Sequence, residues 1–360
     1  MSYHLSRLEI NNFRNLTSIQ IEPIRECNFF YGKNGSGKTS LLEAIYHLSI
    51  ARSFRTHLYS RVIQENKNKF SVCGQIGGEV PVGVERHRSG ELNIRFARED
   101  VASISNLANF LPMQVIDPYS HQLISAGPQI RRQFIDWGVF HVEHNHFLKN
   151  WREFQKIIKQ RNAALKHNSK EEAVLWDIEL VKTADLIDSM RTKYFEQYQS
   201  IFFDIAQDFL DINDLSMHYQ AGWDKEIGLE QQLKNSINQD KKMGYTHYGP
   251  HRANLKIMIG NSPAADILSR GQQKMLASTM KIVQASLLKS SKGKNSLFLV
   301  DDLPSELDAD KRASLAAILF QMDAQLFVTG IEKNGLISLF NQGNSKMFHV
   351  EHGTIKEEKV

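Results

Sequence analysis

From residue 1 to about 117, apolar positions fall in short or alternating runs rich in β-forming residues: "LSRLEI", "TSIQIE", "CNFFYG", "FSVCGQI", "VPVGVE", "LNIRFA" and "MQVID". Period-two alternation and short apolar runs mark strands. One helix interrupts them, starting near Gly37 and carrying Leu41, Leu42, Ile45 and Leu48. Between about 119 and 246 the apolar period lengthens to that of helices. In "KNWREFQKIIKQRNAALK", Trp151, Phe154, Ile157, Ile158 and Leu165 form an apolar stripe, while Lys149, Arg152, Lys156 and Lys159 line another face. A second long helix carries Ile187, Met190, Tyr194, Tyr198, Ile201 and Ile205. After "GPHRANL" at 249–255, strand patterns return in "LKIMI", "SLFLVD", "QLFVT" and "KMFHV". The pattern predicts an α/β domain, residues 1–118 with 247–360, split by a helical arm at 119–246, rather than two consecutive domains.

Composition narrows the class without deciding it. A chain of 360 residues that is 41% hydrophobic can bury a substantial core. No apolar run approaches the roughly 20 residues that span a membrane, and "MSYHLSRLEI" has no hydrophobic signal core, so a cytoplasmic protein is expected. Cys27 and Cys73 lie in strand-like runs without metal spacing and are expected as buried thiols. The net charge is only +4, but Lys and Arg outnumber Asp and Glu by 9 to 4 over residues 51–98 and by 9 to 3 over 121–170, then fall to 3 against 11 over 171–215. Local positive fields of this kind attract polyanions, chiefly nucleic acid.

The chemistry begins at "FFYGKNGSGKTSLLEAIYHL". Gly32, Lys33, Asn34, Gly35, Ser36, Gly37, Lys38 and Thr39 satisfy G-x-x-x-x-G-K-[ST] directly after an apolar strand and directly before an apolar-periodic helix. Glycines let successive backbone N–H groups curl around a phosphate, and the helix start adds positive potential. Lys38 is placed to reach the β and γ phosphates of a nucleotide, and Thr39 to ligate Mg²⁺. A second carboxylate site for the metal is supplied by "NSLFLVDDLPSELD", a buried run ending in Asp301 and Asp302. Successive strand residues point to opposite sides, which suits Asp301 to the metal and Asp302 to the attacking water.

A third stretch, "LSRGQQKML" at 268–276, reads first as a helix start. Ser269 and Gln272 have capping-box spacing, and Met275, Leu276, Met280, Val283 and Leu287 make an apolar stripe. Gly271, which costs a helix about 1 kcal/mol relative to Ala, has no local explanation. Together with the phosphate loop it reads as a second anion site. The order phosphate loop, Leu-Ser-x-Gly-Gln, Asp pair and Ser-x-Leu-Asp is that of an ABC-type ATPase head.

With these motifs, the further segments "LEINNFRNL", "ARSFRT", "SAGPQIRRQFIDW" and "YGPHRANL" make the chain resemble, over nearly its whole length, the RecF family of bacterial DNA replication and repair ATPases, related to SMC heads. The resemblance implies an ABC-type P-loop ATPase head with ATP and Mg²⁺ as ligands. Lys38 and Thr39 would lie on phosphates and magnesium, Asp301 on magnesium and Asp302 at the catalytic carboxylate. Ser269, Gly271 and Gln272 would be supplied across an ATP-dependent homodimer. It further implies Gln114 as the glutamine that senses metal and water, and Asp308 in the loop that follows the carboxylates. Thr329 stands where many ABC ATPases carry a switch histidine, and Asn254 where the family pattern usually has Asp. Slow, DNA-stimulated hydrolysis and cooperation with RecR and RecO in loading RecA at gapped DNA are implied too. Arg52, Arg55, Arg131, Arg132, Lys149, Arg152, Lys156 and Lys159 are the candidate phosphate contacts.

Two other readings share the core motifs. A transporter ATPase subunit would lack the long arm and would commonly show Leu-Ser-Gly-Gly-Gln, where this chain has Arg270. A head-linked nuclease needs an added metal-carboxylate domain. The cluster "HVEHNH" could place His141 and His144 on one helical face, and a surface cluster is expected there rather than a metal site.

Overall fold

The computed structural model describes residues 4–101, 103–167, 169–302, 307, 309–335 and 344–358. The elements run β1 (Leu5–Phe13), β2 (Leu16–Ile21), β3 (Cys27–Tyr31), α1 (Lys38–Ile50), β4 (Lys69–Ile76), β5 (Val80–His87), β6 (Leu92–Phe96), β7 (Glu99–Asp100), α2 (Ile104–Phe110) and β8 (Met113–Ile116). Then follow α3 (Gln122–Ser125), α4 (Pro128–Val142), α5 (His144–Lys166), α6 (Lys170–Leu175), α7 (Asp177–Phe209), β9 (Leu215–Gln220) and α8 (Leu229–Met243). The remainder is β10 (Asn254–Ile259), β11 (Ser262–Pro263), α9 (Ala264–Ile267), α10 (Arg270–Lys292), β12 (Leu297–Val300), α11 (Ala309–Gln321), β13 (Leu326–Gly330), β14 (Ser345–Glu351) and β15 (Thr354–Glu358). Among the described residues no helix is long and apolar enough to cross a membrane.

The chain divides into two compact units, 1–120 with 288–360, and 121–287. The first boundary falls where the apolar period changes. The second lies at 287 rather than at 246, because β10 pairs with β9 along its whole length, Asn254 opposite Gln220 through Ile259 opposite Leu215. Residues 247–287 thereby belong with the arm rather than with the head.

The first unit holds two six-stranded sheets, β2-β1-β4-β5-β6-β7 and β15-β14-β3-β13-β12-β8. The former is antiparallel, and β1 alternates buried Leu8 and Ile10 with more open Arg7, Glu9 and Asn11, as a sheet with one solvated face should. In the latter, β14, β3, β13, β12 and β8 are parallel. All four residues of β12 and all five of β13 are buried, the continuous apolar signature of a sheet covered on both faces. Helix α1 shares one core with both sheets: Leu41, Leu42, Ile45 and Leu48 pack with Leu8 and Ile10 of one and with Leu299 and Phe327 of the other. That burial fixes the helix whose first turn carries the phosphate loop. Cys27 is buried as expected, whereas Cys73 lies exposed on β4.

In the second unit, two buried guanidinium groups tie the helices together. Arg161 of α5 donates to Asp177 of α7 at 2.7 Å and to Asp240 of α8 at 2.7 Å. Arg191 of α7 donates to both carboxylate oxygens of Asp136 in α4 and to the Pro250 carbonyl. Removing one partner of such a pair costs about 3–5 kcal/mol, so these contacts define the arm's interior. His141 is buried against the rings of Trp137 and Phe140 rather than at the surface, and no metal-binding group of three or more His, Cys, Asp or Glu occurs among the described residues.

Candidate nucleotide site

Strand β3 ends at Tyr31 and the chain turns through Gly32–Gly37 into α1. Two glycines explain the shape of the turn. Gly37 has φ +121°, a conformation L side chains rarely adopt. A Cβ on Gly32 would sit 2.2 Å from the carbonyl oxygen of Val350 in β14. The loop is braced again from the β14–β15 turn, where Gly353 N–H donates to Ser36 O at 2.9 Å. Inside the loop, Lys38 Nζ donates to the Gly32 and Lys33 carbonyls at 2.7 and 3.0 Å. Lys33, Asn34 and Gly35 face solvent, and the buried Ser36 hydroxyl has no partner. A curled backbone, a captive ammonium and a hydroxyl awaiting a partner suit the phosphates of a nucleotide.

The carboxylates meet this loop from the adjoining strands. Asp301, just beyond β12, accepts at Oδ1 from Thr39 Oγ1 at 3.0 Å and from Thr329 Oγ1 at 2.9 Å. Burial pushes the Asp301 carboxyl above its ordinary value; the Thr329 and Thr39 hydroxyls pull it down, and the Asp302 and Asp117 charges push it up. A buried carboxylate burdened by two others is a place where a divalent cation relieves the charge. Thr39 and Asp301 thus fit Mg²⁺ in both position and chemistry. Burial lowers the Lys38 ammonium, and Asp302 and Asp301 counter it.

Asp302 has φ +48°, unusual for a residue with a side chain. Its N–H donates to Thr329 Oγ1 at 2.7 Å. One buried threonine hydroxyl therefore sets both carboxylates, donating to the first and accepting from the backbone of the second. Thr329 occupies the position at which the resemblance leads one to expect a switch histidine. Its observed contacts orient the carboxylates, and it carries no titrating group.

Gln114 is not brought to this centre. It lies opposite Phe298 in the β8–β12 register, three residues short of Asp301, or about 10 Å at the rise of a strand. The end of β8 instead presents Asp117, whose N–H donates to Ser120 Oγ and whose Oδ1 accepts from it, both at 2.9 Å. Functional groups of parallel sheets gather at the carboxyl ends of strands, and that rule would have favoured Asp117 over Gln114. Asp308 lies outside the described residues.

The second anion motif forms as spaced. Gln272 N–H donates to Ser269 Oγ at 3.3 Å and Ser269 N–H donates to Gln272 Oε1 at 3.0 Å, a reciprocal capping box. Met275, Leu276, Met280, Val283 and Leu287 are buried, Ser269 is exposed and Gly271 half-buried. Gly271 is the second residue of α10.

The basic candidates divide. Arg52 and Arg55 are exposed, as are Lys149, Arg152, Lys156 and Lys159 of α5. Arg131 and Arg132 are structural instead: Arg131 donates to the Ile124 and Ala126 carbonyls and to Asn254 Oδ1 at 3.0 Å, and Arg132 to the Ala253 carbonyl. Asn254→Asp would turn the Arg131 hydrogen bond into an ion pair. The expected gain is about 0.5–1 kcal/mol, read as a higher urea midpoint at unchanged slope.

The RecF/RecN/SMC N terminal domain family matches residues 4–356. A DNA replication and repair protein RecF from Shewanella frigidimarina is 42% identical over 355 residues, 98% of each chain. Its counterpart from Cellvibrio japonicus is 41% identical over 360 residues, again 98% of each. A solved structure of the recombination mediator protein RecF-ATPrS in RecFOR pathway matches with a TM-score of 0.85 at 25% identity, covering 99% of both chains. An SMC head bound to the C-winged helix domain of ScpA shares the fold, with a TM-score of 0.60 at 15% identity over 99% of this chain and 97% of that one.

Proposed function

Since the chain belongs to the RecF/RecN/SMC N terminal domain family, we propose that it is an ATP-gated DNA clamp that acts in recombinational repair and hydrolyses ATP slowly. The observation that carries this reading is the joining of Thr39, Asp301 and Thr329 by one carboxylate oxygen beside the lysine of the phosphate loop. That arrangement can hold a nucleoside triphosphate and stop there, because its three groups position rather than react.

Lys38 and the loop amides bind the phosphates, and Thr39 with Asp301 holds Mg²⁺, which neutralises phosphate charge when bound. Asp302 orients the attacking water and receives its proton, and Asp117 adds a carboxylate where Gln114 was expected. The Ser269–Gly271–Gln272 turn serves the nucleotide of a second copy, so two ATP molecules close a dimer and hydrolysis opens it. Exposed Arg52, Arg55 and the α5 stripe Lys149, Arg152, Lys156 and Lys159 are the candidate contacts with duplex or gapped DNA. The related RecF belongs to a RecFOR pathway, and on that likeness the partners are RecR, with RecO, in loading RecA in the bacterial cytoplasm.

Asp302→Asn tests the reading. Asn keeps the shape and tolerates φ +48°, but cannot take the proton, a loss of roughly 10²-fold or more in hydrolysis. The variant should sediment as a dimer with ATP and DNA and remain one after wild type has returned to monomer. A variant as monomeric as one lacking Lys38 would sink the clamp.

A further inference from the structure

We propose that Glu43 is a positioning residue: it holds the segment 52–56, and with it the Arg55 guanidinium, in fixed relation to the nucleotide loop, so that one rigid helix carries both the ATP site and a contact for nucleic-acid phosphate. The inference rests on the DNA-clamp reading.

Glu43 lies one helical turn after Thr39 on the same face of α1, and its side chain is fully buried. Both of its oxygens are used. Arg14 donates from Nε to one and from a terminal nitrogen to the other, the latter at 2.8 Å. Ser53 Oγ donates to Oε1. The same hydroxyl accepts from the N–H groups of Arg55 at 2.9 Å and Thr56 at 3.0 Å, which exhausts the one donor and two acceptor positions of a serine. A second anchor is apolar: Phe54 packs edge-on against Tyr46, also on α1, with centroids 5.5 Å apart.

The charges do not balance. One carboxylate faces two guanidinium groups, Arg14, which it grips at both nitrogens, and Arg55, whose nearest nitrogen is 4.0 Å from it. Arg55 keeps a side chain 45% exposed, and Arg52 beside it is exposed. Residual positive charge on a backbone pinned at two points is suited to an external phosphodiester. The ATP phosphates have their own cradle at 32–39. A neutral hook would pin the loop equally well; the carboxylate in addition orders Arg14 and leaves Arg55 in register with the helix that feels the nucleotide.

The test uses the full chain and a fluorescein-labelled DNA duplex titrated with ATP present at several salt concentrations. Ser53→Ala removes the hook without unbalancing a buried charge. It should weaken ATP-dependent DNA binding roughly five- to tenfold, reduce the salt slope by about one, and leave the ATP affinity unchanged. Arg55→Ala should do the same, and the double variant should be no worse than Arg55→Ala alone. Glu43→Gln, if its melting profile shows it folded, should lose at least as much. Wild-type affinity and salt slope in Ser53→Ala, or additive losses in the double variant, would remove the role of Glu43 and leave the clamp standing. A wild-type protein that binds no DNA with ATP would remove both.

Discussion

Lys38→Met is expected to lower ATP affinity by about 10²- to 10³-fold and to leave the protein monomeric with ATP and DNA. The side chain keeps its length and loses three donors. In the structure the ammonium holds the loop by its own Gly32 and Lys33 carbonyls, so the variant loses both the phosphate contact and an internal tie. Charge-assisted bonds are worth about 1.5–3 kcal/mol each, and two of them near the lower end of that range, about 3–4 kcal/mol together, correspond to about 10²- to 10³-fold. Titration with a fluorescent ATP analogue measures the first effect and sedimentation velocity the second. ATP binding within threefold of wild type would show that the phosphates do not rest on Lys38.

Gly271→Asp is expected to separate binding from closure. In the first turn of α10 an aspartate suits the helix: it replaces the residue of lowest helix propensity after proline, and its charge complements the positive end of the dipole. The isolated chain should be as stable as wild type or more so by a few tenths of a kcal/mol, and its ATP affinity should be unchanged because the phosphate loop is untouched. A carboxylate facing a partner's triphosphate has the opposite sign of effect, and dimerisation should weaken by about 10²-fold or more, as like charges meet in a low-dielectric interface. A variant that dimerises normally would return Gly271 to a residue without a function. The glycine is helical, so its backbone gives no reason for it; the absence of a side chain is the remaining one.

Much of the site was legible because its parts are local. The phosphate loop and the capping box depend on residues within eight positions of each other; β12 announces itself as an unbroken apolar run, and β3 and β13 as short apolar runs interrupted by Asn28 and ended by Thr329 and Gly330. What escaped is non-local or short. Helix α2 has seven residues and one buried side chain, Leu107, too little for a stripe. Strand β9 sits in a stretch of helical period and becomes a strand by pairing with β10, which also moved residues 247–287 into the arm. Residue type alone points to Gln114, while the strand register that favours Asp117 appears only when β8 lies beside β12. Arg131 and Arg132 read as surface charge because nothing in their own segment shows the carbonyls they hold. The role of Thr329 depends on the parallel pairing of β12 with β13.

The bracing of the phosphate loop also joins the two ends of the chain. Its strand, β3, is flanked in the sheet by β13 and β14, and the loop leans on Val350 and Gly353, more than 300 residues later in the chain. A nascent polypeptide leaving the ribosome carries the complete nucleotide motif long before the residues that shape it exist. On the proposed function, nucleotide capture is expected only once these last strands have emerged; ATP-analogue binding by a chain truncated before β14 would check it.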